Sequence, residues 1–197
     1  WCIVAHNTLK TGYSELADRL NRYPQGAPPS DLLFNILSML FSEEEAGLVS
    51  LMPIKPFTAE KASRIWKKNL AETQNILDGL AARAILVDIE QNGNTTYVLP
   101  PPMAGFFEFS LMRVRDDIDQ KLLSELFHQY MNVEEDFIRE LFTQGDSHLG
   151  RSFVQEPALS QENALDVLDY ERASEVIETA RHICVGSCYC RHKMEHM

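Results

Sequence analysis

Apolar residues recur at helical intervals through most of the chain, and the runs break at prolines, glycines and capping residues. The pattern predicts an opening helix over Tyr13 to Arg22. Tyr23-Pro24-Gln25-Gly26-Ala27-Pro28-Pro29 then excludes regular structure and reads as a linker or a fixed turn. Ser30 and Asp31 offer caps to a core helix whose apolar face is Leu32, Leu33, Ile36, Leu37 and Leu40. Ser42 with Glu45 three positions later has the form of a capping box, opening a helix to about Met52 that Pro53 and Pro56 end. Thr58 caps another through Trp66, and Leu70, Ile76, Leu77, Leu80 and Ala84 mark a further one. The period then changes to two. Ile85 to Glu90 is β-branched and alternating, Asn92-Gly93-Asn94 makes a hairpin turn, and Thr95 to Leu99 forms the return strand. Three helices followed by a hairpin is the order of a winged helix.

Pro100-Pro101-Pro102 closes that unit, and the apolar stretch Phe106 to Met112 begins the next. Ile118, Leu122, Leu123, Leu126, Phe127 and Tyr130 keep helical spacing, and Phe137, Ile138, Leu141 and Phe142 mark a shorter helix. Ser147 to Glu162 reads as an extended connection anchored by Phe153 and Val154, after which a last helix over Tyr170 to Ala180 leads to the cysteines. The expected fold is mainly α with a small β-hairpin. Its segments are an amino-terminal helix and linker (1–29), a winged-helix-like domain (30–102), a helical region (103–180) and a cysteine-rich stretch (181–197).

Composition places this pattern in an ordinary globular protein, with 45% hydrophobic and 24% charged residues. No apolar run reaches the roughly 20 residues that span a bilayer, and the first residues lack the features of a secretory signal, so no membrane insertion and a cytoplasmic location are expected. The net charge of −11 repels phosphate backbones. On the second helix of the helix-turn-helix pair, Leu70 to Ala84, the ionisable residues are Glu72, Asp78 and Arg83, and the hairpin tip carries no cation. Lys61, Arg64, Lys67 and Lys68 on the preceding helix are the counterweight, but such a run usually forms a solvated face. DNA is therefore an unfavoured partner. Asp116, Asp117 and Asp119, and Glu134, Glu135 and Asp136, read as surface or first-turn carboxylates.

The chemistry is concentrated at the carboxyl end. Cys2 stands alone, while Cys184, Cys188 and Cys190 fall within seven positions, flanked by His182 on one side and His192 and His196 on the other. Clustered thiols of this kind point to metal binding before a disulfide framework. Thiolates bind iron-sulfur clusters and zinc through polarisable sulfur, and Arg191 and Lys193 favour thiolate over thiol. The spacing matches neither a bacterial ferredoxin run nor a paired zinc knuckle. Cys188, Cys190, His192 and His196 make up a four-ligand zinc set by composition, although alternation along a strand would send the first three to opposite faces. The blander alternative makes Cys184 a small buried apolar residue and the histidines an exposed tail, and a Cys184–Cys188 disulfide would be an oxidation product. No H-E-x-x-H, G-x-S-x-G, phosphate loop or G-x-G-x-x-G is present to place an enzymatic reaction.

The string Cys188-Tyr189-Cys190-Arg191-His192-Lys193-Met194-Glu195-His196, with Pro101-Pro102-Met103-Ala104-Gly105-Phe106-Phe107-Glu108-Phe109 upstream, resembles a family of bacterial and archaeal iron-sulfur proteins of ferredoxin type. In that family a winged-helix-like amino-terminal region precedes cysteine motifs that bind [4Fe-4S] clusters. The resemblance implies that Cys188 and Cys190 are cluster ligands, with Cys184 as a candidate third. It also implies further cysteines beyond Met197, without which the four-cysteine set of the cluster is incomplete. The function expected is an electron-transfer or redox-linked component rather than a stand-alone enzyme, with a protein redox partner and with a homodimer left open. The alternatives are a redox- or metal-responsive winged-helix regulator and a zinc-binding structural protein.

Overall fold

The computed structural model describes residues 11–23, 25–143 and 170–197. Cys2 and the connection anchored by Phe153 and Val154 lie outside these residues. The described chain is mainly helical with one two-stranded antiparallel sheet. It divides into two compact units, one holding residues 11–143 with 187–197 and the other 170–186. Position 102 falls inside the first unit, and a single apolar core, including Leu37 and Phe41 before it and Phe106, Phe107 and Phe127 after it, runs across that point.

In the first unit, α1 (Thr11–Leu20), α2 (Asp31–Leu40) and α3 (Glu43–Ser50) come first. Ser30 accepts from the Leu33 amide, and Ser42 and Glu45 close a complete capping box. α1 lies closely on α3 at Gly12, where a β-carbon would stand 2.6 Å from the Glu43 carbonyl oxygen. The segment from Gln25 to Pro29 is a fixed turn rather than a free linker. The Gln25 amide donates to the Met103 carbonyl (2.8 Å) and accepts from the Met103 amide (2.7 Å), and Tyr130 donates to the Pro28 carbonyl (2.9 Å). Ala27 and Pro28 are buried.

α4 (Ala59–Trp66), capped by Thr58, and α5 (Leu70–Ala82), capped by Asn69, form the helix pair. β1 (Val87–Gln91) and β2 (Asn94–Val98) follow, with Asp88 opposite Tyr97 and Gln91 opposite Asn94. Asn92 (φ 53°) and Gly93 (φ 77°) both adopt the left-handed conformation that a tight two-residue hairpin demands. Phe57 exchanges two backbone hydrogen bonds with Tyr97 (2.9 and 2.7 Å), adding one bridge to the free edge of β2. Helix, bridge, helix, helix, hairpin is the element order of a winged helix.

Beyond the prolines the chain makes a wide turn over Pro102–Phe106, in which Ala104 is left-handed, and enters the short α6 (Phe107–Ser110). α7 (Gln120–His128) packs against α2, continues through one wide turn over Gln129–Val133, and is followed by α8 (Glu135–Thr143). Phe106, Phe107, Phe127, Tyr130 and Phe137 stack as a chain of ring contacts with centroids 4.8–6.2 Å apart. In the second unit α9 (Tyr170–Thr179) is exposed along most of its length. The last element is α10 (Tyr189–Glu195), which returns to the first unit and packs on α7. Among the described residues no helix is long and apolar enough to cross a membrane.

Candidate metal centre

α10 and its two caps carry four of the five candidate ligands, Cys188, Cys190, His192 and His196. Residues 182–188 have no regular structure, and Cys188 is the extended N-cap of the helix (φ −69°, ψ 118°). The segment is a helix, not the strand along which Cys188, Cys190 and His192 would alternate, and its seven residues are too few to show an apolar period. Two backbone-directed hydrogen bonds hold it to the loop after α6. The Ser187 amide donates to the Met112 carbonyl (3.0 Å), and His192 Nδ1 lies 2.6 Å from the Leu111 carbonyl oxygen. Between them Tyr189 turns its ring onto the apolar core. Its hydroxyl is buried without a hydrogen-bond partner among the described residues, and burial, with Glu108 and Cys190 nearby, raises its pKa.

Cys188 and Cys190 are both exposed, at the cap and the second position of α10. Cys188 closes no capping hydrogen bond of ordinary length, yet its thiol is held below the usual value. The Arg191 amide is the main cause; desolvation opposes it, and the Cys190 amide and the Arg191 guanidinium add to it. Cys184 is exposed and belongs to the second unit, so it is not the small buried apolar residue of the blander alternative.

His192 and His196 stand one turn apart, half-buried, with Nε2 atoms 3.2 Å from each other and ring centroids separated by 4.9 Å. Sequence reasoning named both residues but not their pairing, which needs the helix phase to be known. Among the described residues no group of three or more His, Cys, Asp or Glu side chains is arranged to hold a metal ion.

Three of the clustered carboxylates, Asp117, Asp119 and Asp136, have structural employment. Asp119 caps α7 by accepting from the Leu122 amide (3.0 Å), and Asp117 pairs with Arg115 (2.5 Å), whose hydrogen bond holds the Asp117 carboxyl below its ordinary range. Asp136 pairs with Arg139 within the first turns of α8. The outward residues of α5 include Glu72, Asn75 and Asp78, while Arg83 is engaged by Glu45 and Lys68 by Glu44 (3.2 Å) and Glu72 (2.6 Å). A shallow cleft of about 370 Å³ between α3 and α5 is lined by Ser42, Glu44, Glu45, Leu48, Glu72 and Ile76. This acidic face is ill-suited to a phosphate backbone.

Comparison with protein-family models, curated proteins and solved structures gives no match.

Proposed function

We propose that the chain is an iron-sulfur protein, a cytoplasmic electron-transfer component whose helical body mounts the cluster-binding turn and docks a protein redox partner. The observation that carries this reading is the pair of exposed thiols, Cys188 and Cys190, at the start of a helix tied to the core. Cys188 is already biased toward the thiolate that ligation requires.

The donor set fits part of a cluster. Thiolate is the ligand type that iron-sulfur clusters take, and a [4Fe-4S] cluster takes four. Cys188 and Cys190 would supply two ligands, and Cys184, four positions before Cys188, is the candidate third. When bound, a [4Fe-4S] cluster supplies one-electron transfer, with a potential tuned by nearby charge and burial. This chain's own residues orient the thiols: Ser187 and His192 fix the helix, Tyr189 seats it, and the Arg191 amide and side chain stabilise negative sulfur.

Anaerobically purified protein tests the reading through iron and acid-labile sulfide per chain. Equal amounts of the two are expected, with a broad absorption at about 400 nm that is lost in Cys188→Ser and Cys190→Ser. Zinc without sulfide, or iron retained when both thiols are gone, would overturn it.

A further inference from the structure

We propose that His192 and His196 form a two-nitrogen chelate for a divalent late transition-metal ion such as zinc, nickel or copper, separate from the thiol pair. Their i,i+4 spacing places them on one face of α10, and the two Nε2 atoms lie 3.2 Å apart.

The protonation of His192 follows from its partner. A carbonyl oxygen only accepts, so the 2.6 Å contact with Leu111 places the proton on Nδ1 and leaves Nε2 of the neutral ring with a free lone pair. This backbone anchoring of the far nitrogen is the device that orients metal-binding histidines. Without an ion, His196 donates its Nε2 proton to that lone pair. With one, the His196 proton moves to Nδ1, both rings stay neutral and both Nε2 lone pairs face the metal.

Distance favours the same conclusion. With metal–nitrogen bonds of about 2.0–2.1 Å, nitrogens 3.2 Å apart subtend about 100° at the ion, between square and tetrahedral values. His196 is the C-cap of α10 and His192 lies in its last turn, where exposed carbonyls favour a cation. The nearby Lys193 ammonium lies over the Tyr189 ring, 5.5 Å from its centroid. Both histidines are half-buried, so water completes the coordination, and imidazole donors select zinc, nickel and copper over magnesium or calcium.

The test titrates Ni²⁺, and separately Zn²⁺, into the protein carrying Cys188→Ser and Cys190→Ser, with heat of binding as the readout. That protein lacks the thiols on which the iron-sulfur reading rests, so the two ideas fail separately. One ion per chain is expected. His196→Ala should weaken it by about tenfold or more while His128→Ala leaves it unchanged. Because His192 also holds α10 at Leu111, His196→Ala is the decisive variant, and its unchanged circular dichroism excludes a folding defect. Equal affinity in His196→Ala, or binding seen only when the thiols are present, would overturn the proposal.

Discussion

At the scale of the residue, two large polar side chains buried in this fold reach partners far away in sequence. Arg19 is fully buried, and its guanidinium donates to the Met52 and Pro53 carbonyls (both 2.9 Å) just past the end of α3 while lying 5.7 Å from the centre of the Tyr23 ring. Desolvation lowers its pKa from the usual value, an effect that Tyr23 opposes. Tyr97 is a second case. Its hydroxyl donates to Asp78 (2.6 Å) and accepts from Gln74, tying β2 to α5. Burial first, and then the bond to Asp78, push its pKa up to about 12. The folded chain therefore holds this proton more tightly than the unfolded chain, whose tyrosine ionises near 10. The associated stability is complete below pH 10 and is lost as the pH climbs toward 12. Denaturation measured across that window should show the decline in the natural protein and a flatter profile in Tyr97→Phe; parallel profiles would remove Tyr97 as the cause.

At the scale of the element, the tightest packing joins α1 to α3. A β-carbon at Gly12 meets a main-chain oxygen at 2.6 Å, which no side-chain rotation relieves. Gly12→Ala should cost about 1–3 kcal/mol, read as a lower denaturant midpoint with an unchanged slope. An unchanged midpoint would mean that α1 shifts freely on α3. Helix beginnings were legible because their signals are local: Ser30, Ser42 with Glu45, and Thr58 each bond an amide three positions on. The hairpin was legible for the same reason, through Asn92 and Gly93. That Gln25 to Pro29 is a fixed turn and not a linker was not, since its restraints come from Met103 and Tyr130, 78 and 102 positions away. At the candidate site the residue types were plain in the sequence, but the contact of His192 with Leu111 spans 81 positions and its pairing with His196 depends on a helix too short to announce itself.

At the scale of the whole molecule, charge sets the terms of association. The net charge is −11, and in the winged-helix-like region Lys68 and Arg83 are already paired with carboxylates. Duplex DNA should therefore show no binding at physiological salt by mobility shift; binding that weakens steeply as salt rises would instead favour the regulator reading. The attachment of α10 to the body has a different implication. The acceptors are the carbonyls of Leu111 and Met112, groups that every amino acid carries in the same place. Sequence drift at 112, whose side chain is partly exposed, leaves its share of the anchor intact, and position 111 is constrained only by its place in the core. On the donor side only the Ser187 amide shares that latitude. A related chain can wander at the receiving end and keep its terminal helix, but it cannot exchange the imidazole at 192 without letting one of the two moorings go.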